Sequence, residues 1–146
     1  MTLHNLLSKK GYTLVKLKLT KTNHFELKAT INGVKGRFIL DTGASNSCIG
    51  FDSVDNFNLK VEASDVKAAG AGATEMETQI SKKNKVKIGK WKQKKVSLVL
   101  FNLVHVNTAL INHESNPVDG IIGADILKKA EAVIDYKKKY LYLRSN

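Results

Sequence analysis

The stretch Phe38-Ile39-Leu40-Asp41-Thr42-Gly43-Ala44-Ser45 decides how this chain is read, because an apolar strand delivers a carboxylate into a turn with almost no side-chain bulk. Leu40 and its neighbours have the pattern of a buried strand, so Asp41 stands at the edge of the interior. An isolated ionised carboxylate there is costly unless it is paired or hydrogen-bonded. Gly43 has no Cβ and lets backbone N–H groups approach the carboxylate, while the Thr42 hydroxyl can bond to backbone across a turn or an interface. An Asx-turn closing a strand uses the same residues, so the motif by itself leaves a purely structural role open.

A second segment lies roughly eighty residues further on: Val118-Asp119-Gly120-Ile121-Ile122-Gly123-Ala124-Asp125-Ile126-Leu127. It reads as strand, glycine, helix. Together, Ile39-Leu40-Asp41-Thr42-Gly43-Ala44-Ser45 and Ile121-Ile122-Gly123-Ala124-Asp125 resemble the two signature segments of the retroviral-type aspartic peptidases, the retropepsins, and of their bacterial relatives. The likeness runs over roughly residues 25–143. It implies a mainly β, retropepsin-like acid-protease fold, a partly open β-barrel with a flap hairpin and one or two short helices. By the same resemblance Asp41 is the catalytic acid, Thr42 locks two catalytic loops together, and Gly43 is the backbone partner of the carboxylate. Ala44 and Ser45 belong to the supporting loop, and Ile121, Ile122 and Gly123 pack behind it.

Physical chemistry says why one such motif is not enough. Hydrolysis of a peptide by water needs a base to take the water's proton and an acid to protonate the departing amine. Two carboxylates within hydrogen-bond reach can do both, because like charges that close share one proton and titrate as a unit. No second Asp-Thr-Gly or Asp-Ser-Gly occurs; the other aspartates are Asp52, Asp55, Asp65, Asp119, Asp125 and Asp135. Asp119 reads as a turn residue before a strand, Asp125 as a first-turn helix residue and Asp135 as a hairpin residue. A symmetric homodimer, with Asp41 meeting its mate on the two-fold axis, is the economical solution. The length of 146 residues suits a single domain, with residues 1–11 a possible N-terminal extension.

Cys48 is the only cysteine, so no intramolecular disulfide can form, and its apolar neighbours point to a buried, inert thiol. No segment has the pattern of a signal peptide or a membrane span, and a cytoplasmic protein is expected. Net charge is +11, yet Arg37 and Arg144 are the only arginines. Lysines alternate with apolar residues, as in Lys85-Val86-Lys87-Ile88 and Lys16-Leu17-Lys18-Leu19, the pattern of a half-buried sheet with a solvated face. Arginine poverty and the lack of clustered aromatics speak against a nucleic-acid partner. His4, His24, His105 and His113 have no ligand spacing, and no metal or organic cofactor is expected.

Strand patterns occupy residues 12–19, 24–31 and 34–40, with Asn32-Gly33 a two-residue hairpin turn between the last two. Residues 52–66 read as a connection anchored by Phe51 and Phe57. The small residues Ala69, Gly70, Ala71, Gly72 and Ala73 suit either a flexible loop or, by the resemblance, the tip of a flap over residues 67–75 that closes on substrate. Strands then follow at 78–81, 86–88 and 96–101, with Trp91 packing on the sheet. Asn102 caps a helix reaching about Ile111, and residues 112–117 form a loop. Residues 124–130 form a second helix, and 132–136 pairs with 140–143 in a closing hairpin.

Serine nucleophiles find no base partner, and Ser45 is expected to bond within its own turn. Asp41-Thr42-Gly43-Ala44-Ser45-Asn46-Ser47 also looks like the phosphate loop of the actin and sugar-kinase superfamily, but the long chain and second glycine-rich motif of those proteins are missing. The stronger rival is a silent one, a retropepsin-like domain that binds extended peptides without cleaving them.

Overall fold

The elements run α1 (Leu3–Lys9), β1 (Tyr12–Lys16), β2 (Lys18–Leu19), β3 (Phe25–Ile31), β4 (Val34–Leu40), β5 (Cys48–Gly50), a 3-10 turn (Phe51–Ser53), β6 (Glu62–Ala63), β7 (Ala68–Gly70), β8 (Ala73–Met76), β9 (Gln79–Ile88), β10 (Trp91–Phe101), α2 (Val104–Asn112), β11 (Gly120–Ile122), α3 (Ala124–Lys129), β12 (Val133–Asp135) and β13 (Tyr140–Arg144). This computed structural model describes residues 1–63, 68–70, 73–76 and 79–145, with backbone alone for 63, 68–70 and 73–76.

Asn32 and Gly33, with φ of 51° and 85°, form the expected turn and join β3 to β4 in an unbroken antiparallel ladder from Ile31↔Val34 to Phe25↔Leu40. The main sheet has the order β2-β3-β4-β11-β5-β10-β9-β6, and β3 also pairs with β9, so the sheet closes on itself as a partly open barrel. A three-stranded sheet, β1-β13-β12, joins the two ends of the chain. β7 and β8 form a separate antiparallel hairpin.

The insertion of β11 positions the site. The chain leaves β4 at Leu40 and returns in β5 at Cys48, and β11 lies between them, parallel to β4 and antiparallel to β5. The turn carrying Asp41 therefore arches over the end of β11. Both faces of this part of the sheet are covered. Phe38, Leu40, Ile49, Leu98, Leu100 and Ile122 point into the main core, while Ile39, Cys48, Val99, Phe101 and Ile121 point into a second cluster with Leu110 of α2. Two-sided burial explains why Phe38-Ile39-Leu40 is continuously apolar, whereas β9 alternates exposed Lys85 and Lys87 with buried Val86 and Ile88.

Three expectations need correction, and residues 1–11 gain a helix. Residues 12–19 are not one strand; the run breaks at Leu17 into β1 and β2, and Leu19 is exposed. Phe57 is fully buried with its ring 6.1 Å from that of Phe38, but Phe51 is 42% exposed at the start of the 3-10 turn. Expected strands at 78–81 and 86–88 merge into β9, which starts at Gln79; Thr78 lies outside the described residues. Residues 1–11 contain α1, whose N-cap Thr2 accepts from Asn5 N–H through Oγ1 at 3.1 Å and which buries Leu7.

The bend that lets β9 continue is built around Asn84. Lys83 and Lys95 have φ of 60°, and the β9–β10 register shifts beside them. Asn84 is buried and donates through Nδ2 to Ser81 O and Ser81 Oγ, while its Oδ1 accepts from Asn32 Nδ2 at 2.9 Å. Asn84→Ala strips these bonds from interior groups, of which Asn32 Nδ2 keeps a second partner, Phe57 O at 2.9 Å. It should lower stability by about 2 kcal/mol in a denaturant titration.

Candidate active site

Asp41 continues the β4–β11 ladder one residue past its end, donating from its N–H to Ile122 O at 3.0 Å. Its side chain is half-buried, and Oδ1 accepts from Gly43 N–H at 2.9 Å, as the motif predicts. A Cβ at Gly43 would lie 3.3 Å from the same oxygen, a tight contact that its absence relieves. Among the described residues nothing bonds Asp41 Oδ2. The carboxylate thus has one oxygen fixed and one available to a second group.

The turn is clamped from below. Ala44 is buried and its carbonyl accepts from Ala124 N–H at 2.7 Å. Gly123 lies directly beneath: a Cβ there would sit 2.7 Å from Ala44 O and 3.0 Å from the Asn46 carbonyl carbon. Ile121 and Ile122 are buried on opposite faces of β11. Ser45, by contrast, is exposed. The hydroxyl that ties the loop down belongs to fully buried Ser47, whose Oγ donates to Asp125 Oδ1 at 2.7 Å and accepts from Gly123 N–H at 2.8 Å. Ser47 N–H donates to the same Asp125 oxygen at 2.9 Å. Asp125 is a first-turn helix residue, as read, but also the latch between the two motif segments. Asp119 has a similar second task, accepting from Arg37 N–H and from Ser53 Oγ, each at 2.9 Å.

Among the described residues, two cavities border Asp41. One, about 430 Å³, lies between the 20–24 turn and α2, with Ile39 and Ile121 on one side and Val106 and Leu110 on the other. The second, about 390 Å³, opens on the Thr42 side between Leu40, Phe25 and Tyr136. His24 lines both, and its Nδ1 is bonded to Thr22 Oγ1 at 2.9 Å. A strap holds the turn against the segment after α2: Lys21 Nζ meets Glu114 Oε2 at 2.7 Å, and Lys21 N–H donates to Ser115 Oγ at 3.3 Å. Thr42 is exposed. His24, Thr22 and the α2 wall were not legible as site residues, because only the folded chain brings them to Asp41. Leu103, not the expected Asn102, is the N-cap of α2; Asn102 precedes it and accepts from Val104 N–H through Oδ1 at 2.8 Å.

Ala69, Gly70 and Ala73 fall in the β7–β8 hairpin; Ala71 and Gly72 lie outside the described residues. Among the described residues no group of three or more His, Cys, Asp or Glu side chains is placed to hold a metal ion, and no helix is long and apolar enough to cross a membrane. Burial pushes the Cys48 thiol up from 9.0 to about 12. Its thiolate fraction near neutral pH is therefore about a thousandfold below that of a free cysteine. Native protein should resist a thiol-specific reagent that labels it rapidly in denaturant; equal rates in the two conditions would contradict this burial.

The characteristic profile of the aspartyl proteases matches residues 27–126, which span both motif segments. The chain belongs to the aspartyl protease family. Comparison with curated protein sequences returns no match. Among solved structures, this aspartyl protease family chain is similar to a retropepsin-like aspartic protease from Rickettsia conorii, with a TM-score of 0.63 at 20% identity over 92% of this chain and 91% of that one. It is also similar to the EIAV protease complexed with the inhibitor HBY-793, with a TM-score of 0.54 at 18% identity over 75% and 90% of the two chains. The retroviral protease-like domain of Ddi1 from Leishmania major gives a TM-score of 0.54 at 20% identity over 86% and 90%. The fold of this family member is therefore retropepsin-like.

Proposed function

We propose that the chain is an aspartic endopeptidase that hydrolyses peptide bonds with a water activated between two Asp41 carboxylates of a homodimer. The observation that carries this reading is the setting of Asp41: one oxygen is held by Gly43 N–H at 2.9 Å, and the side chain borders both cavities. A second Asp41 brought within hydrogen-bond reach would share one proton with the first. One carboxylate then takes the proton of the attacking water, and the other protonates the leaving amine. Gly43 N–H keeps the carboxylate oriented, while Ala44, Ser47 and the Ile121-Ile122-Gly123 segment support the turn.

A surface for the second copy lies beside Thr42. A groove of about 310 Å³ runs between Thr42, Leu127, Ala132 and Ile134, and β12, which carries Ile134, is an edge strand of its sheet. Tyr136, 72% exposed, extends the apolar surface. Burying these against their counterparts brings Thr42 and Asp41 to the axis. The extended substrate lies across the cavities, and the small residues Ala69, Gly70, Ala71, Gly72 and Ala73, read as a flap, would allow backbone pairing with a peptide. The lone buried thiol of Cys48 suits a reducing compartment, and we place the protein in the cytoplasm.

The test is cleavage of a diverse peptide library by wild type and by Asp41→Asn, with sedimentation run over the same concentrations. Loss of cleavage by roughly a thousandfold in the variant is expected. Cleavage that survives the substitution, or that fails to follow the dimer, overturns the mechanism; a folded, peptide-binding but inert protein supports the silent domain.

A further inference from the structure

We propose that the cavity between the 20–24 turn and α2 takes an acidic side chain of the substrate, glutamate above all, recognised by His24 and His105. This deepens the peptidase reading and rests on it. The apolar walls, Ile39, Val106, Leu110 and Ile121, suit the aliphatic stem of one side chain, and the polar groups of the pocket are Thr22, His24, His105 and Asp41. Thr22 is already engaged: its Oγ1 bonds Thr20 Oγ1 at 2.7 Å and His24 Nδ1 at 2.9 Å. That bond fixes the imidazole of His24 and leaves Nε2 as the ring nitrogen available to a ligand. His105 stands on the first turn of α2, on the opposite wall.

Charge selects the ligand. A carboxylate entering beside Asp41 is repelled unless a cation faces it. Among the described residues lining this cavity there is no lysine or arginine, so the two histidines are its only cations when protonated. Asp41, just past the end of β4, is the single acid, β11 contributes the uncharged Ile121, nearby Lys21 is already paired with Glu114 at 2.7 Å, and Lys139 shares only the second cavity with His24. The net charge of +11 adds a field of the same sign at longer range. Histidine as a residue type gains its charge on the acid side of neutrality, so a charged side chain is compared with its neutral isostere at two pH values.

The experiment uses three peptides built on one library sequence, identical except for Glu, Gln or Leu at one central position, at about pH 5 and about pH 7.5. Wild type should prefer Glu over Gln by about tenfold in kcat/KM at the lower pH and lose or reverse that preference at the higher one. The preference should collapse toward unity in His24→Gln/His105→Gln. Binding of the same peptides to Asp41→Asn protein, followed by fluorescence anisotropy, reads the pocket without cleavage and should rank Glu first at the lower pH. A wild-type preference that is absent, or that survives the double substitution, overturns the assignment. Glutamate-selective binding with no cleavage of any peptide by wild type rejects the peptidase reading and leaves the pocket standing.

Discussion

When wild-type chain is mixed and equilibrated with a roughly ninefold excess of Asp41→Asn chain, cleavage per wild-type chain should fall about tenfold. The expectation follows from the place of Asp41 rather than from its acidity alone. In the proposed dimer one oxygen of each carboxylate is held by its own Gly43 N–H, and each chain would supply half of the proton-sharing pair. A dimer with one Asp and one Asn lacks either the base or the acid, and random pairing leaves only about a tenth of the wild-type chains with a wild-type partner. Asp41 is half-buried at a turn whose clamp runs through Ser47, Asp125 and Gly123, so the amide should fold normally and compete for partners. Cleavage that simply tracks the amount of wild-type chain, with no loss on mixing, would show that one chain suffices.

Gly120→Ala is expected to produce the largest loss of stability among single conservative changes. A Cβ at Gly120 would overlap the carbonyl oxygen of Cys48, with Phe38 Cε1 at 3.0 Å and Ile49 Cδ1 at 3.1 Å closing the other directions. The main obstacle is backbone, so no rotamer change relieves it. Gly120 belongs to β11, which pairs with β4 at Phe38 and with β5 at Ile49, the strands on either side of the Asp41 turn. Moving β11 aside therefore disturbs the ladder that carries both motif segments. The cost should be about 3 kcal/mol, or a fall of about 10 °C in Tm, read by calorimetry. Ser45→Ala, at an exposed position in the same loop system, should change stability by less than about 0.5 kcal/mol. Similar melting of the two variants would mean that β11 has more room than its contacts indicate.

Much of the frame was legible because it is written in neighbouring residues. Asn32-Gly33 can adopt the positive φ values of a tight hairpin turn, and that turn is present. Asn102 supplies an oxygen to the start of α2, and Asp125 and the apolar residues after it mark α3. Errors fell where a pattern had more than one physical cause. Phe51 and Phe57 look alike in sequence, yet only Phe57 finds the space beside Phe38. Ser45 and Ser47 are both small and polar, yet only Ser47 reaches the helix that begins after Gly123.

By itself the sequence determined a reactive-looking acid at the end of a buried strand, a glycine partner two residues later, and a second strand-glycine-helix segment of matching character. Those features depend on backbone conformations and periodicities set within a few residues. Only the tertiary structure decided that β11 enters between β4 and β5, that Ser47 locks onto Asp125 across 78 positions, and that His24 and the α2 wall face Asp41. Such pairings leave no periodic trace, because they are selected by register and fit between surfaces far apart along the chain.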